Sequence, residues 1–246
     1  MDRLLFLAMT GAKNIDLQQA TTANNLANVN TNAFKADLAS FRSLPVVGPG
    51  APTRTYVVDN TIGHDMSQGS LQRTGNPNDF ALGSPGFFAV QAADGNEAYT
   101  RDGGFVLDAN GMMRNRNGLP ILGDGGPITV PAGSKVQLGQ DGSVMAIPLT
   151  GTDRTAQLVG QIKMVNPGDR AVYKGADGLF RVNGGDTAQA DPNVKLVPES
   201  LEASNVNAVE SLVQMISHGR QYDMNVKMMQ TADQNDQKAT QLLAIG

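Results

Sequence analysis

Proline and glycine are confined to one stretch of the chain. All twelve Pro lie between Pro45 and Pro198, and 25 of the 28 Gly lie between Gly48 and Gly185. Residues 1–44 and 199–246 hold no Pro and only Gly11, Gly219 and Gly246. Pro removes a backbone donor and Gly interrupts helices, so the partition predicts helical ends around a turn-rich middle. It divides the 246 residues into an N-terminal helical segment with its linker (1–44), a Gly/Pro-rich central domain (45–198) and a C-terminal helix (199–246).

The middle has the pattern of an antiparallel β domain. Asp94-Gly95, Asp102-Gly103, Asn110-Gly111, Asn117-Gly118 and Asp124-Gly125 follow one another at intervals of seven or eight residues. Such pairs suit two-residue hairpin turns, which need positive φ. Short apolar runs lie among and after them: 87–90, 105–107, 120–122, 128–130, 136–138, 144–147 and 158–162. Many short strands at this spacing predict a sandwich or barrel-like fold. A parallel α/β sheet needs helical patterns between its strands, and the middle has none. The fold class is therefore mainly β, with a helical, coiled-coil-like stem at the termini.

Both ends carry helical stripes. Steps of 3 and 4 from Leu5 give Ala8, Ala12, Ile15, Gln19, Thr22, Leu26 and Val29, in which only Gln19 and Thr22 are polar. Asn24, Asn25, Asn28, Asn30 and Asn32 then crowd the chain, and the helix is expected to stop near 28–32. The C-terminal stripe runs Leu212, Met215, Gly219, Tyr222, Val226, Met229, then slips by one step to Ala232, Asp236, Ala239 and Leu243. Asn205 or Ser204 is the expected cap, with Glu210 in the first turns. The slip predicts an irregular heptad. A helix over 204–243 runs about 60 Å, whereas a compact chain of this length has a radius of gyration of about 18 Å. Such a helix overshoots its own domain and leaves part of its stripe bare, which marks a partner surface. A hairpin with the shorter N-terminal helix covers only part of it.

Composition narrows the chemistry. The chain has no Cys and only His64 and His218, and its 19 basic against 23 acidic residues give a net charge of -4. Disulfides, thiolate chemistry and non-specific nucleic-acid binding are disfavoured. No apolar run approaches the roughly 20 residues of a membrane span; Leu4–Met9 is the longest near the start, and Asp2 sits where a cleaved signal wants positive charge. The sequence 108–111 lacks the Glu and Gly placement of a calcium loop, and 123–127 lacks the Lys-Ser/Thr of a phosphate loop. Arg101-Asp102 is expected to be a solvated or locally paired hairpin charge.

Seven short segments carry a family resemblance. Residues 23–31 (Ala-Asn-Asn-Leu-Ala-Asn-Val-Asn-Thr) with Phe34-Lys35 resemble the N-terminal signature of bacterial flagellar rod and hook proteins. Residues 201–206 (Leu-Glu-Ala-Ser-Asn-Val), with Met215-Ile216 and 220–222 (Arg-Gln-Tyr), resemble their C-terminal signature. Pro85-Gly86-Phe87-Phe88-Ala89-Val90 and Tyr99-Thr100-Arg101-Asp102-Gly103 are similar to the core of the same family, and the opening and length are most like its proximal-rod branch. Ala33 stands where the family commonly has Gly, so the turn at 31–35 is expected to differ.

The resemblance implies a structural, non-enzymatic subunit of the periplasmic rod in the flagellar basal body. It implies export through the flagellar type III apparatus without signal cleavage, and partners among other rod proteins and copies of itself. It implies no cofactor, metal, nucleic acid or small-molecule substrate. The expected packing residues are Leu26, Val29, Leu212, Met215, Ile216, Tyr222 and Val226; Asn24, Asn25, Asn28 and Asn205 are the expected polar specifiers of register. The alternatives are a distal rod or hook-type axial protein and, from another class, a periplasmic β-rich cell-wall glycan hydrolase, since two Asp can meet in any β-rich chain. A carbohydrate-binding module is disfavoured by four Tyr and no Trp.

Overall fold

A computed structural model describes residues 2–45, 55–149, 155–168 and 171–243, without the side chains of 2–4, 43, 55–62, 242 and 243. The stripe position Leu243 and the start of the apolar run at Leu4 therefore lie outside the described side chains. The fold is mainly β with a helix at each end: α1 (Asp2–Ala27) and α2 (Ala208–Leu243). Every strand pairing in the middle is antiparallel.

The chain forms two compact units. One holds residues 1–29, 35–65 and 206–246; the other holds 30–34 and 66–205. The first unit includes a two-stranded ribbon, β1 (Asp37–Pro45) with β2 (Thr55–His64). An isolated two-stranded ribbon is marginal in water, and this one groups with the helices. The units thus cut across the 45–198 boundary drawn from Pro and Gly.

In the second unit a five-stranded sheet has the order Met164–Val165, Phe87–Gln91, Glu97–Thr100, Phe180–Val182, Val172–Lys174. The strand 87–91 is buried on both faces. Phe88 and Val90 enter a large core with Leu82, Ile121, Val144 and Ile162, while Phe87 and Ala89 enter a smaller one with Tyr99, Val165 and Phe180. This is why that strand reads as a continuous apolar run rather than an alternating one. Phe88 meets Phe105 edge-on at 5.3 Å, and Phe87 meets Phe180 at 5.1 Å. A separate three-stranded sheet, Ser134–Leu138, Ser143–Pro148 and Gln157–Gln161, occupies the runs expected at 136–138, 144–147 and 158–162.

The Asp-Gly and Asn-Gly pairs divide into three kinds. Gly95, Gly111 and Gly118 have φ of 83°, 78° and 81°, as hairpin turns require. Gly103 is not among the positive-φ residues; a Cβ there would overlap the Phe80 carbonyl oxygen, so this glycine permits close backbone approach instead. At Asp124-Gly125 the positive φ falls one residue later, on Gly126 at 117°.

Candidate assembly surface

The helices form the site. Within the second unit Ala33 N–H donates to Glu202 O at 2.8 Å and Asn205 N–H to Phe34 O at 3.3 Å. The chain therefore leaves α1 and enters α2 at neighbouring points. Gly11 faces Asn225, whose Oδ1 is 2.9 Å from where a Gly11 Cβ would stand. Only an antiparallel pair satisfies both facts, because Asn225 is about 25 Å along α2 from its start. Continuing that register, Asp2 falls level with residue 234. The last nine residues of α2, about 13 Å of helix, have no α1 opposite them, and among 235–241 only Ala239 is partly buried.

Along α1 and just past its end the buried or partly buried positions include Ala8, Ala12, Ile15, Gln19, Thr22, Leu26 and Val29, the expected stripe after its first member, Leu5, which is exposed. Thr22 Oγ1 donates to Gln18 O at 2.9 Å, which satisfies the buried hydroxyl within the helix. The α2 seam differs from expectation. Its buried or partly buried side includes Ser211, Met215, His218, Gly219, Asn225, Val226, Met229, Ala232 and Ala239, while Tyr222 and Asp236 are exposed. A stripe drawn from hydrophobicity missed Ser211, His218 and Asn225; Ser211 and Asn225 fit the seam because each bonds a carbonyl of its own helix end or helix. Ser211 Oγ donates to Asn207 O at 2.9 Å. His218 Nδ1 is enclosed with no hydrogen-bond partner.

The large apolar side chains sit outside. Leu212 and Ile216 are 48% and 59% exposed, Val209 and Val213 71% and 61%. Tyr222 is also exposed, whereas Met215, Val226, Leu26 and Val29 are partly buried. On α1, Phe6 and Met9 are 46% and 52% exposed. A helix pair with Ala and Ser inside and Phe, Ile and Leu outside leaves its hydrophobic burial unrealised.

The asparagines act within the chain. Asn25 clamps the start of β1: its Nδ2 donates to Asp37 O at 2.9 Å and its Oδ1 accepts Asp37 N–H at 2.8 Å. His64 Nδ1 lies 2.9 Å from Asp37 Oδ1. Asn28 Nδ2 bonds Asn24 O at 2.9 Å just past the end of α1, and Asn24 is exposed. Asn205 donates from Nδ2 to Ser67 O at 3.2 Å. With its amide engaged there, the cap of α2 is Asn207, whose Oδ1 accepts Val209 N–H at 3.1 Å and Glu210 N–H at 3.3 Å.

Four of the quoted motifs meet in the second unit. Arg101 is 5% exposed rather than solvated. Its Nε donates to Glu202 Oε2 at 2.7 Å, and a terminal nitrogen donates to Gly86 O at 2.7 Å. Glu202 Oε1 accepts Gly69 N–H at 3.0 Å, while its backbone carbonyl accepts Ala33 N–H. Ala33 has φ 58°, so the turn keeps the left-handed form expected of Gly although Ala occupies it. Sequence reasoning missed this cluster, because neither Arg101 nor Glu202 carries a periodicity that signals burial. Nearby, Arg116 pairs with the buried Asp79 at 2.8 Å. Burial pushes the Asp102 carboxyl above its ordinary range, against the opposing Gly104 N–H and Arg116.

The comparisons with known proteins place these features. Residues 5–35 match the family model for flagella basal body rod proteins. Residues 81–146 match that for the flagellar hook protein FlgE/F/G D1 domain, and 197–242 that for the flagellar basal body rod FlgEFG protein C-terminal. The chain is 39% identical over 251 residues to the flagellar basal-body rod protein FlgF of Escherichia coli, with both chains fully covered. The Salmonella typhimurium FlgF matches at the same identity and coverage. FlgG of Buchnera aphidicola subsp. Schizaphis graminum is 32% identical over 97% of this chain and 98% of its own. The chain belongs to the flagellar basal-body rod protein family. It is a FlgF-type structural subunit of the rod, located in the flagellar basal body and assembling with other basal-body components.

Proposed function

We propose that this rod subunit occupies the proximal part of the shaft and joins its neighbours through α1 and α2. The observation that carries the reading is the exposed row Val209, Leu212, Val213 and Ile216 on a continuous helix of 36 residues. Neighbouring rod proteins and further copies are the partners, and the exposed row, with partly buried Leu26, Val29, Met215 and Val226 and exposed Tyr222, is the material they cover. Asn24 and Asn28, at the end of α1, set register there; Asn25 and Asn205 act indirectly by fixing where the helices begin and end. The chain leaves the cell through the flagellar export apparatus with its N-terminus retained. Among the described residues no helix is long and apolar enough to cross a membrane.

The role is non-enzymatic, and the geometry of the acidic groups supports this. A polar cleft of about 680 Å³ is lined in part by Gln91, Glu97, Asp124 and Lys163. Its Glu97 pairs with Lys163 at 2.8 Å and accepts the Tyr99 hydroxyl at 2.9 Å. Glycoside hydrolysis wants one carboxyl kept protonated beside a second that stays free to act; a carboxylate held by a cation is not such an acid. No nucleic acid, metal or small-molecule substrate enters this reading. The test is Leu212→Asp with Ile216→Asp. The purified variant keeps its β-sheet signal, while cells carrying it lose swimming and their basal bodies lack a complete rod. Normal swimming by that strain refutes the stem reading.

A further inference from the structure

Three Asn-Gly pairs occur in the chain: Asn110-Gly111, Asn117-Gly118 and Asn183-Gly184. Glycine leaves the asparagine amide carbon open to attack by the backbone nitrogen that follows it, and that nitrogen must lose its proton to attack. The pairs differ in what the glycine N–H does. Gly111 is buried, its N–H donates to Asp108 O at 2.9 Å, and a Cβ there would overlap Val130 O. Gly118 is exposed, but its N–H donates to Asn115 O at 3.0 Å and its carbonyl accepts Arg114 Nη1 at 2.8 Å. Leu119 N–H closes the same loop on Asn115 Oδ1 at 2.8 Å. Gly184 is exposed as well, and its N–H meets no acceptor among the described residues. The turn there closes one residue later, through Gly185 N–H to Val182 O at 3.3 Å. Gly184 and Gly185 have φ of 98° and 82°, and a Cβ on either would meet nothing within 4 Å.

We propose that Asn183 is a site of self-modification, converted to aspartate and isoaspartate through the Gly184 nitrogen while the chain is folded. Hydroxide takes the Gly184 amide proton. The nitrogen then attacks Asn183 Cγ: the N–Cγ bond forms, the Cγ–Nδ2 bond breaks, and the amide leaves as ammonia with a proton from water. A cyclic imide remains. Water adds to one of its two carbonyls and reopens the ring, to aspartate or to isoaspartate according to which ring bond breaks. The attacking and attacked atoms belong to adjacent residues, so access to the nitrogen sets the rate. Either product places a new negative charge on the turn that holds the exposed Asp186. Isoaspartate also adds a carbon to the backbone. It does so shortly before Ala188, whose N–H donates to the Tyr99 hydroxyl at 2.7 Å, and Ala190, which bridges Val165.

The test incubates the full chain at mildly alkaline pH, folded and in concentrated urea. Peptide mapping by mass spectrometry reads amide-to-acid conversion at each pair, and an isoaspartate methyltransferase labels the isomer on the same peptides. In the folded chain Asn183 converts about ten-fold faster than Asn117 or Asn110, since a hydrogen bond on the attacking N–H must first be given up at those two. In urea the three rates converge, because each asparagine then precedes an unconstrained glycine. Asn183→Gln leaves its own peptide unlabelled. Conversion of Asn117 at the rate of Asn183 in the folded chain, or a folded chain inert at Asn183, overturns the proposal. A ranking that persists unchanged in urea is an effect of neighbouring sequence rather than of the fold, and overturns it too.

Discussion

The β-rich unit and the helix pair use the same residue types in opposite ways. In the first, Phe88, Leu82, Val90 and Ile121 are fully buried, and even a charged pair, Arg101 with Glu202, is enclosed. In the second, the most buried positions are Ala8, Ala12, Thr22, Ser211 and Ala232, while Phe6, Val209, Val213 and Ile216 face outward. The β unit completes its core from its own chain. The helix pair is narrow in its seam and greasy on its backs, so its main hydrophobic gain comes only when another surface arrives. A self-contained core and a bare apolar surface thus fall in different parts of one polypeptide.

The sharpest way to break this contrast is to attack the enclosed charges. Arg101→Ala leaves the Glu202 carboxylate buried without its cation and should cost about 3–5 kcal/mol in urea unfolding of the full chain. Replacing both partners, Arg101→Met with Glu202→Leu, should cost clearly less. An equal loss in the single and double variants would show that the pair is not what holds the cluster.

Matched truncations compare the two units directly. Phe88→Ala should cost about 3–5 kcal/mol, whereas Ile216→Ala in the monomer should change stability by no more than about 0.5 kcal/mol. Comparable losses would erase the distinction between a self-contained unit and an incomplete one.

Ala33→Gly sharpens the picture at the turn between helix and β unit. At φ 58° an L side chain is strained, and its removal should raise stability by about 1 kcal/mol. A loss on this substitution would mean that the buried Ala33 methyl matters more than the backbone.

The smallest effect concerns Asp102. Burial holds its carboxyl above the ordinary value, so the folded chain binds this proton more tightly than the unfolded one. The contribution is fully present below the unfolded pKa and is lost as pH rises through the raised folded one. Asp102→Asn should therefore be slightly more stable than the parent at neutral pH, with the difference vanishing in acid. Urea midpoints measured from the ordinary carboxylate range upward check this; a variant less stable at neutral pH contradicts it.

Much of the architecture was legible in the chain. The confinement of Pro and Gly marked the helical ends, and the stripe from Ala8 to Val29 coincides with the buried face because five of its seven members are Ala, Ile, Leu or Val and the buried Thr22 hydroxyl bonds within the helix. On α2 the same method found Met215, Gly219, Val226, Met229, Ala232 and Ala239 but misplaced the first turn. Hydrophobicity selects Leu212, yet the seam takes Ser211, whose hydroxyl is satisfied by Asn207 and whose size permits close approach. Periodicity finds a face only when that face is also the greasy one. The ion pair of Arg101 and Glu202 was illegible for a related reason: its partners stand 101 residues apart, and charge alone gives no hint of burial. The cap at Asn207 was displaced from Asn205 because tertiary bonds to Ser67 and Phe34 claim the earlier asparagine.

The bonds from Ala33 to Glu202 and from Asn205 to Phe34 have a mechanical meaning in a rotating shaft. A tug arriving along either helix is received at the same two rungs, where the outgoing and returning strands grip one another. With the two rungs side by side, neither strand can be drawn out of the second unit without first parting from the other.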